Sequence, residues 1–185
     1  MFAPLKKIGL FRKADPAVHD LYNRLVEKAR DPAFYAGLGV PDTVDGRFDM
    51  IVLHAMLLLR RFRGQGDAAE QRGQEVFDLM FKDMDQSLRE LGVGDMSVGK
   101  HIKRMAQAFY GRAERTEAGL DAKIMDSADP VLGQALTDTV FRKGPADARY
   151  LSALQDYLLR ADRHVAAQAV TDIVAGRLDL AVPVT

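Results

Sequence analysis

The sequence predicts an all-α protein, a single domain of about six to eight packed helices. Three observations lead there. Apolar residues recur at three- and four-residue steps over most of the chain, while the two-residue alternation of half-buried strands is nearly absent. Asp-Pro occurs at 15–16 and again at 31–32, each time as a helix opening in which the aspartate caps and the proline fills the first helical position. A length of 185 residues, 48% hydrophobic and 28% charged, suits one domain with a core of its own.

Taken in order, a first helix opens at Asp15-Pro16 and carries Val18, Leu21, Tyr22, Leu25 and Val26 on one face, with Arg30 near its end. A short helix follows from Pro32 to Leu38. Gly37, Gly39 and Pro41 then enforce a turn, after which Asp42 or Asp45 is expected to cap a long helix from Gly46 to Arg63. Gly64-Gln65-Gly66 breaks the chain. The next helix, Ala68 to Leu91, places Phe77, Met80, Phe81, Met84, Leu88 and Leu91 along one stripe and ends at Gly92. Ser97 is expected to cap a helix with Val98, Ile102, Met105 and Phe109 inside. Three more are expected over Pro130–Phe141, Ala146–Ala161 and His164–Ala175, separated by loops near Asp126 and Gly144. The helical domain is therefore assigned to residues 15–178, preceded by a flexible basic arm (1–14) and followed by a short tail (179–185).

Composition excludes several functions. With net charge +0, no whole-molecule field draws the protein to nucleic acid, and no sequence-specific nucleic-acid binding is expected. The absence of cysteine removes disulfides, thiolate metal sites and cysteine nucleophiles. No apolar run approaches the roughly 20 residues that span a bilayer. The first residues, MFAPLKKIGLFRK, mix Lys6, Lys7, Arg12 and Lys13 with Phe2, Leu5, Ile8, Leu10 and Phe11. They lack the longer apolar core of a secretory signal, and read either as a frayed arm or as a weak anchor to an anionic membrane surface.

Enzymatic motifs almost appear and fail. Residues 94–100, GDMSVGK, have P-loop spacing, but His101 stands where a Ser or Thr should hold Mg²⁺, and no strand precedes them. Asp83 and Asp85 begin like a calcium loop, yet Leu88 replaces its glycine. His19-Asp20 resembles half of a helical metal phosphohydrolase site. With His54 and nearby carboxylates it supports an alternative reading as a metal-dependent phosphohydrolase. Asp42, Asp45 and Asp49 could gather a hard metal, but capping and pairing with Arg47 is the simpler use. No catalytic residue, metal or cofactor is assigned.

Soft apolar stripes remain. Eight methionines and no tryptophan describe surfaces that adapt to irregular partners, unless the stripes pack on each other as core. Met50, His54, Met56, Phe77, Met80, Met84, Met105 and Phe109 are the candidates for a groove that takes an apolar client helix. Two basic clusters, Arg60, Arg61 and Arg63, and Lys100, Lys103 and Arg104, are candidates for contact with an anionic surface. They also support a reading as a ribosome- or RNA-binding helical module.

Two long segments, FYAGLGVPDTVDGRFDMIVLHAMLLLRRF and FDLMFKDMDQSLRELGVGDMSVGKHIKRMAQAFYGR, resemble the ubiquinol-cytochrome c chaperone family, the bacterial relatives of a mitochondrial assembly factor. The likeness runs from Leu21 to Leu120 and more weakly onward. Its distinctive motifs are GVPDT-x-x-GRF and MFKDMD followed by LRELGVGDMSVGK. The resemblance implies a helical, non-enzymatic assembly factor that holds newly made cytochrome b and supports its entry into ubiquinol-cytochrome c reductase. It implies a cytoplasmic protein that works peripherally at the inner face of the membrane, with the ribosome as a further candidate partner. It carries over no catalytic residue.

Overall fold

The computed structural model describes residues 15–90, 92–142 and 147–184. The expected basic arm, the helix end at Leu91 and the loop at Gly144 lie outside these residues. Among the described residues there are eight helices and no strand: α1 (Pro16–Ala29), α2 (Pro32–Ala36), α3 (Val44–Phe62), α4 (Asp67–Glu90), α5 (Asp95–Met125), α6 (Val131–Thr139), α7 (Ala148–Ala166) and α8 (Val170–Val174).

The all-α fold is organised around α3, which touches α1, α4, α5 and α7. Its sequence requires that position. Val52 through Leu58 are buried without interruption, so no face is left for water. Each large side chain so buried contributes roughly 1.5–3 kcal/mol. Helix α4 turns its Phe77, Met80, Phe81 and Met84 stripe inward, where Phe77 meets Phe81 at 4.6 Å and Phe109 of α5 at 5.2 Å between ring centres. The two Asp-Pro openings form as the sequence implies. Asp15 accepts a hydrogen bond from Ala17 N, and Asp31 one from Ala33 N.

Four elements differ from the sequence reading. Helix α3 is capped by Thr43, whose Oγ1 accepts from Gly46 N at 3.1 Å; Asp42 instead pairs with Arg47, and Asp45 sits in the first turn. Helix α5 starts at Asp95, before Ser97, with Gly94 in the cap position and no side-chain cap. Helix α7 runs unbroken past Ala161, because Ala161 and Val165 lie one turn apart on the same buried face and nothing between them interrupts a helix. The last residues are packed: Leu178, Leu180 and Pro183 are buried, and the Gln168 amide brackets Asp179 by donating to its carbonyl and accepting from its N–H, each at 2.8 Å.

Candidate functional site

The GVPDT-x-x-GRF motif forms the turn into α3, and its glycines are sterically required. Gly39 takes φ +65, and a Cβ there would stand 2.3 Å from the Tyr150 ring. A Cβ on Gly46 would lie 2.0 Å from the Pro41 carbonyl oxygen, so the turn closes only without a side chain. One turn into the helix, Asp49 is 1% exposed. Arg142 Nη1, just past α6, donates to Asp49 Oδ2 at 2.8 Å, and also contacts the Thr139 carbonyl. Arg112 Nε of α5 lies 2.8 Å from Asp49 Oδ1 as an ion pair, although no well-directed hydrogen bond reaches that oxygen. Burial pushes the Asp49 carboxyl up to about 6, against the downward pull of Arg112 and Arg142, and the same burial lowers Arg112. Asp49 is therefore an ionised junction of three segments at neutral pH. Of the three aspartates considered for a hard metal, each faces an arginine: Asp42 faces Arg47, Asp45 faces Arg142, and Asp49 faces both Arg112 and Arg142.

His54 occupies the centre of the core. Its Nδ1 lies 2.7 Å from the Met50 carbonyl, which only accepts, so Nδ1 carries the hydrogen. Nε2 then accepts from the Tyr157 hydroxyl at 2.6 Å. Phe34 packs edge-on against both rings, with centroids 5.5 Å from His54 and 4.8 Å from Tyr157. Burial lowers the His54 pKa to about 4, so the ring is neutral.

The candidate client residues are mostly core. Met50, His54, Met56, Phe77, Met80, Met84 and Phe109 are buried, and Met105 is half-buried. They come together, as the stripe pattern implied, but they pack against one another and present no open groove in this conformation. The physical reason is that α3, α4 and α5 place their apolar stripes face to face. Phe81 is buried beside them, as the stripe requires.

The first basic cluster is likewise committed inward. Arg60 pairs with Glu117 at 3.2 Å, Asp121 at 2.6 Å and Asp162 at 3.0 Å. Arg63 reaches both oxygens of Glu117, and Arg61 donates to the Gln168 carbonyl at 2.9 Å. These arginines bolt α3 to α5 and α7 and do not form an open anionic-surface patch. Lys100, Lys103 and Arg104 do stand exposed on α5. The residues of the phosphohydrolase alternative are not assembled: His19 and Asp20 are exposed on α1, while His54 is enclosed with both nitrogens engaged. Among the described residues no group of three or more His, Asp or Glu is placed to hold a metal ion. The P-loop-like stretch is helical from Asp95 onward, Asp83 accepts from the Tyr22 hydroxyl at 2.8 Å, and Asp85 pairs with Arg89.

Sequence reasoning missed Arg112, Arg142, Glu117, Tyr157 and Asp162. The one available signal was a carboxylate such as Glu117 at a position that α5 turns inward, where a buried charge demands a partner.

The Ubiquinol-cytochrome C chaperone family model matches residues 36–181. The proteins called Ubiquinol-cytochrome c reductase complex assembly factor 1 in Mus musculus and in Homo sapiens are each 26% identical over 154 residues, 83% of this chain and 50% of theirs. The Xenopus laevis assembly factor is 25% identical over 138 residues, 75% of this chain and 66% of its own. The chain thus spans about half the length of the mammalian relatives. The solved structure described as the Cbp3 homolog from Brucella abortus matches with a TM-score of 0.79 at 34% identity, covering 91% of this chain and 90% of that one. Because the matched span runs from the last residue of α2 to the packed C-terminal stretch, it encloses the Asp49, His54 and Glu117 centres, and the chain belongs to the ubiquinol-cytochrome C chaperone family.

Proposed function

We propose that this chain is an assembly factor for ubiquinol-cytochrome c reductase that holds newly made cytochrome b and acts by binding, without catalysis. The observation that carries this reading is the family match over residues 36–181, joined by relatives whose names state a role in assembling the ubiquinol-cytochrome c reductase complex. A client of this kind emerges as apolar helices that aggregate if left unshielded, and a helical protein can cover them by side-chain packing. The protein works in the cytoplasm and visits the inner face of the membrane through reversible basic contacts. Among the described residues no helix is long and apolar enough to cross a membrane.

Deleting the gene in its native cell is expected to abolish assembled reductase while leaving the cytochrome b transcript intact. Photo-crosslinkers placed on the protein surface should capture cytochrome b. Normal assembly in the deletion strain would refute the reading. A ribosome-binding role is a second reading, favoured by the exposed trio Lys100, Lys103 and Arg104. It predicts co-sedimentation with ribosomes that falls steeply with salt.

A further inference from the structure

With the methionine stripes enclosed, client contact must come from apolar groups on the outside. Among the described residues, half of the exposed large hydrophobic side chains fall in one eight-residue stretch: Ile124 (53% exposed), Met125 (87%) and Val131 (43%). The geometry explains why they are left out. Gly119 lets α6 cross α5 at near backbone contact, since a Cβ there would stand 2.6 Å from Leu132 Cα. Beyond that crossing the last turn of α5 continues, leaving Ile124 about half exposed and Met125 almost fully exposed. Val131, the first residue of α6, is exposed six residues after Met125, across the short turn that joins the two helices.

Among the described residues the charged side chains around this corner are mostly acidic. Asp126 and Asp129 lie in the turn, each using one carboxylate oxygen to hold a backbone N–H, of Ala128 and Val131 respectively. Asp138 stands exposed on α6 seven residues after Val131, on the same helix face. The nearby Lys123 ammonium is turned onto the Asp129 carbonyl at 3.3 Å. An apolar patch rimmed by carboxylates is complementary to an apolar segment carrying Lys or Arg at its edge.

We infer that the α5–α6 corner, built by Ile124, Met125 and Val131 within a rim of Asp126, Asp129 and Asp138, docks the Lys- or Arg-flanked apolar end of a membrane-protein helix. The inference rests on the functional reading above. Cytoplasmic ends of membrane-spanning helices carry an excess of Lys and Arg next to apolar sequence, which is the chemistry this corner matches. A nucleic acid or an anionic membrane surface would be repelled by the same rim.

Two synthetic peptides with one Leu/Ala centre, flanked by lysines in one and by glutamates in the other, test it by fluorescence anisotropy with the full chain. The lysine-flanked peptide should bind more tightly. Ile124→Ser with Met125→Ser should weaken it about tenfold without shifting the melting temperature, since both side chains are exposed. Asp126→Asn with Asp129→Asn keeps an oxygen for each backbone bond and should bring the two peptides to near parity. Val44→Ser, equally exposed elsewhere, should change nothing. Equal binding of both peptides to the unaltered chain, or full binding by the serine pair, would overturn the inference. So would normal reductase assembly in cells carrying the serine pair, an outcome distinct from normal assembly after gene deletion, which defeats the functional reading itself.

Discussion

His54 Nε2 and the Tyr157 hydroxyl meet at 2.6 Å where neither residue has any exposed surface, tying α3 to α7 across 103 residues of sequence. Removing the hydroxyl leaves a buried acceptor with no water to replace it. Tyr157→Phe should therefore cost about 1–3 kcal/mol in urea denaturation, more than a surface hydrogen bond would. Unchanged stability would mean that the pair carries nothing.

The same histidine and Asp49 give opposite pH dependences. The His54 pKa is depressed from 6.5 to about 4, so its contribution is present above pH 6.5 and is lost as pH falls toward 4. The Asp49 pKa is raised from 3.8 to about 6, so its contribution is present below about pH 4 and is lost as pH rises through 6. Over that window the two slopes oppose each other. His54→Gln should expose stability that declines as pH rises, and Asp49→Asn stability that climbs. Parallel pH profiles for both variants and the unaltered chain, measured by chemical denaturation, would contradict the assignment.

The turn into α3 separates capping from charge. Thr43→Ala removes the side-chain acceptor for Gly46 N and should cost about 0.5–2 kcal/mol. Asp42→Ala removes only an exposed pair with Arg47 and should change stability little. The reverse order in thermal melts would restore Asp42 as the cap.

What was legible in the sequence was local. Asp15-Pro16 and Asp31-Pro32 act on groups two residues away, so their helices could be read directly. The stripe through Phe77 and Met84 identified an apolar face, but a face buried against a neighbouring helix and a face open to a client have the same periodicity. That is why Met50, Met56 and Met80 could be read from the sequence either as core or as a groove wall, and only the packing of α3, α4 and α5 makes them core. The roles of the arginines depended on partners far away in sequence: Glu117 lies 57 residues from Arg60 and 54 from Arg63. A basic cluster looks the same whether its counter-charges are phosphates or its own carboxylates. Asp49 was visible as a carboxylate, but Arg112 and Arg142 reach it only through the fold.

Glycines on α5 should respond with opposite signs. Gly119→Ala forces a methyl into the Leu132 backbone, which cannot yield without moving α6, and should destabilise by about 1–3 kcal/mol. Gly99, exposed on the same helix with nothing near its missing Cβ, should gain about 0.5–1 kcal/mol on conversion to Ala. Equal effects in urea melts would mean that the α5–α6 crossing is looser than its geometry.

Glu117 holds two guanidinium groups while itself only 6% exposed. Glu117→Ala leaves Arg60 and Arg63 without their shared carboxylate. Arg60 retains Asp121 and Asp162, and Arg63 is partly open to water, so the cost should fall below the roughly 3–5 kcal/mol of a fully buried pair. A measured loss under about 0.5 kcal/mol would reduce the network to surface pairing.

Since Arg60, Arg61 and Arg63 are engaged within the fold, any attraction to an anionic membrane must come from other groups. Lys100, Lys103 and Arg104 stand exposed on α5, and the first thirteen residues bring further lysines and an arginine among apolar side chains. Each basic group near an anionic surface contributes on the order of 1 kcal/mol, enough together for reversible attachment. Partial co-sedimentation with anionic vesicles is expected at low salt, with release at high salt and little binding to neutral vesicles. Lys100→Glu with Lys103→Glu and Arg104→Glu should weaken it, and deleting Met1 to Lys13 should weaken it further. Equal binding to neutral and anionic vesicles would instead mark apolar insertion. Absence of binding to both would leave the client or the ribosome to recruit the protein, and the membrane visit would be withdrawn.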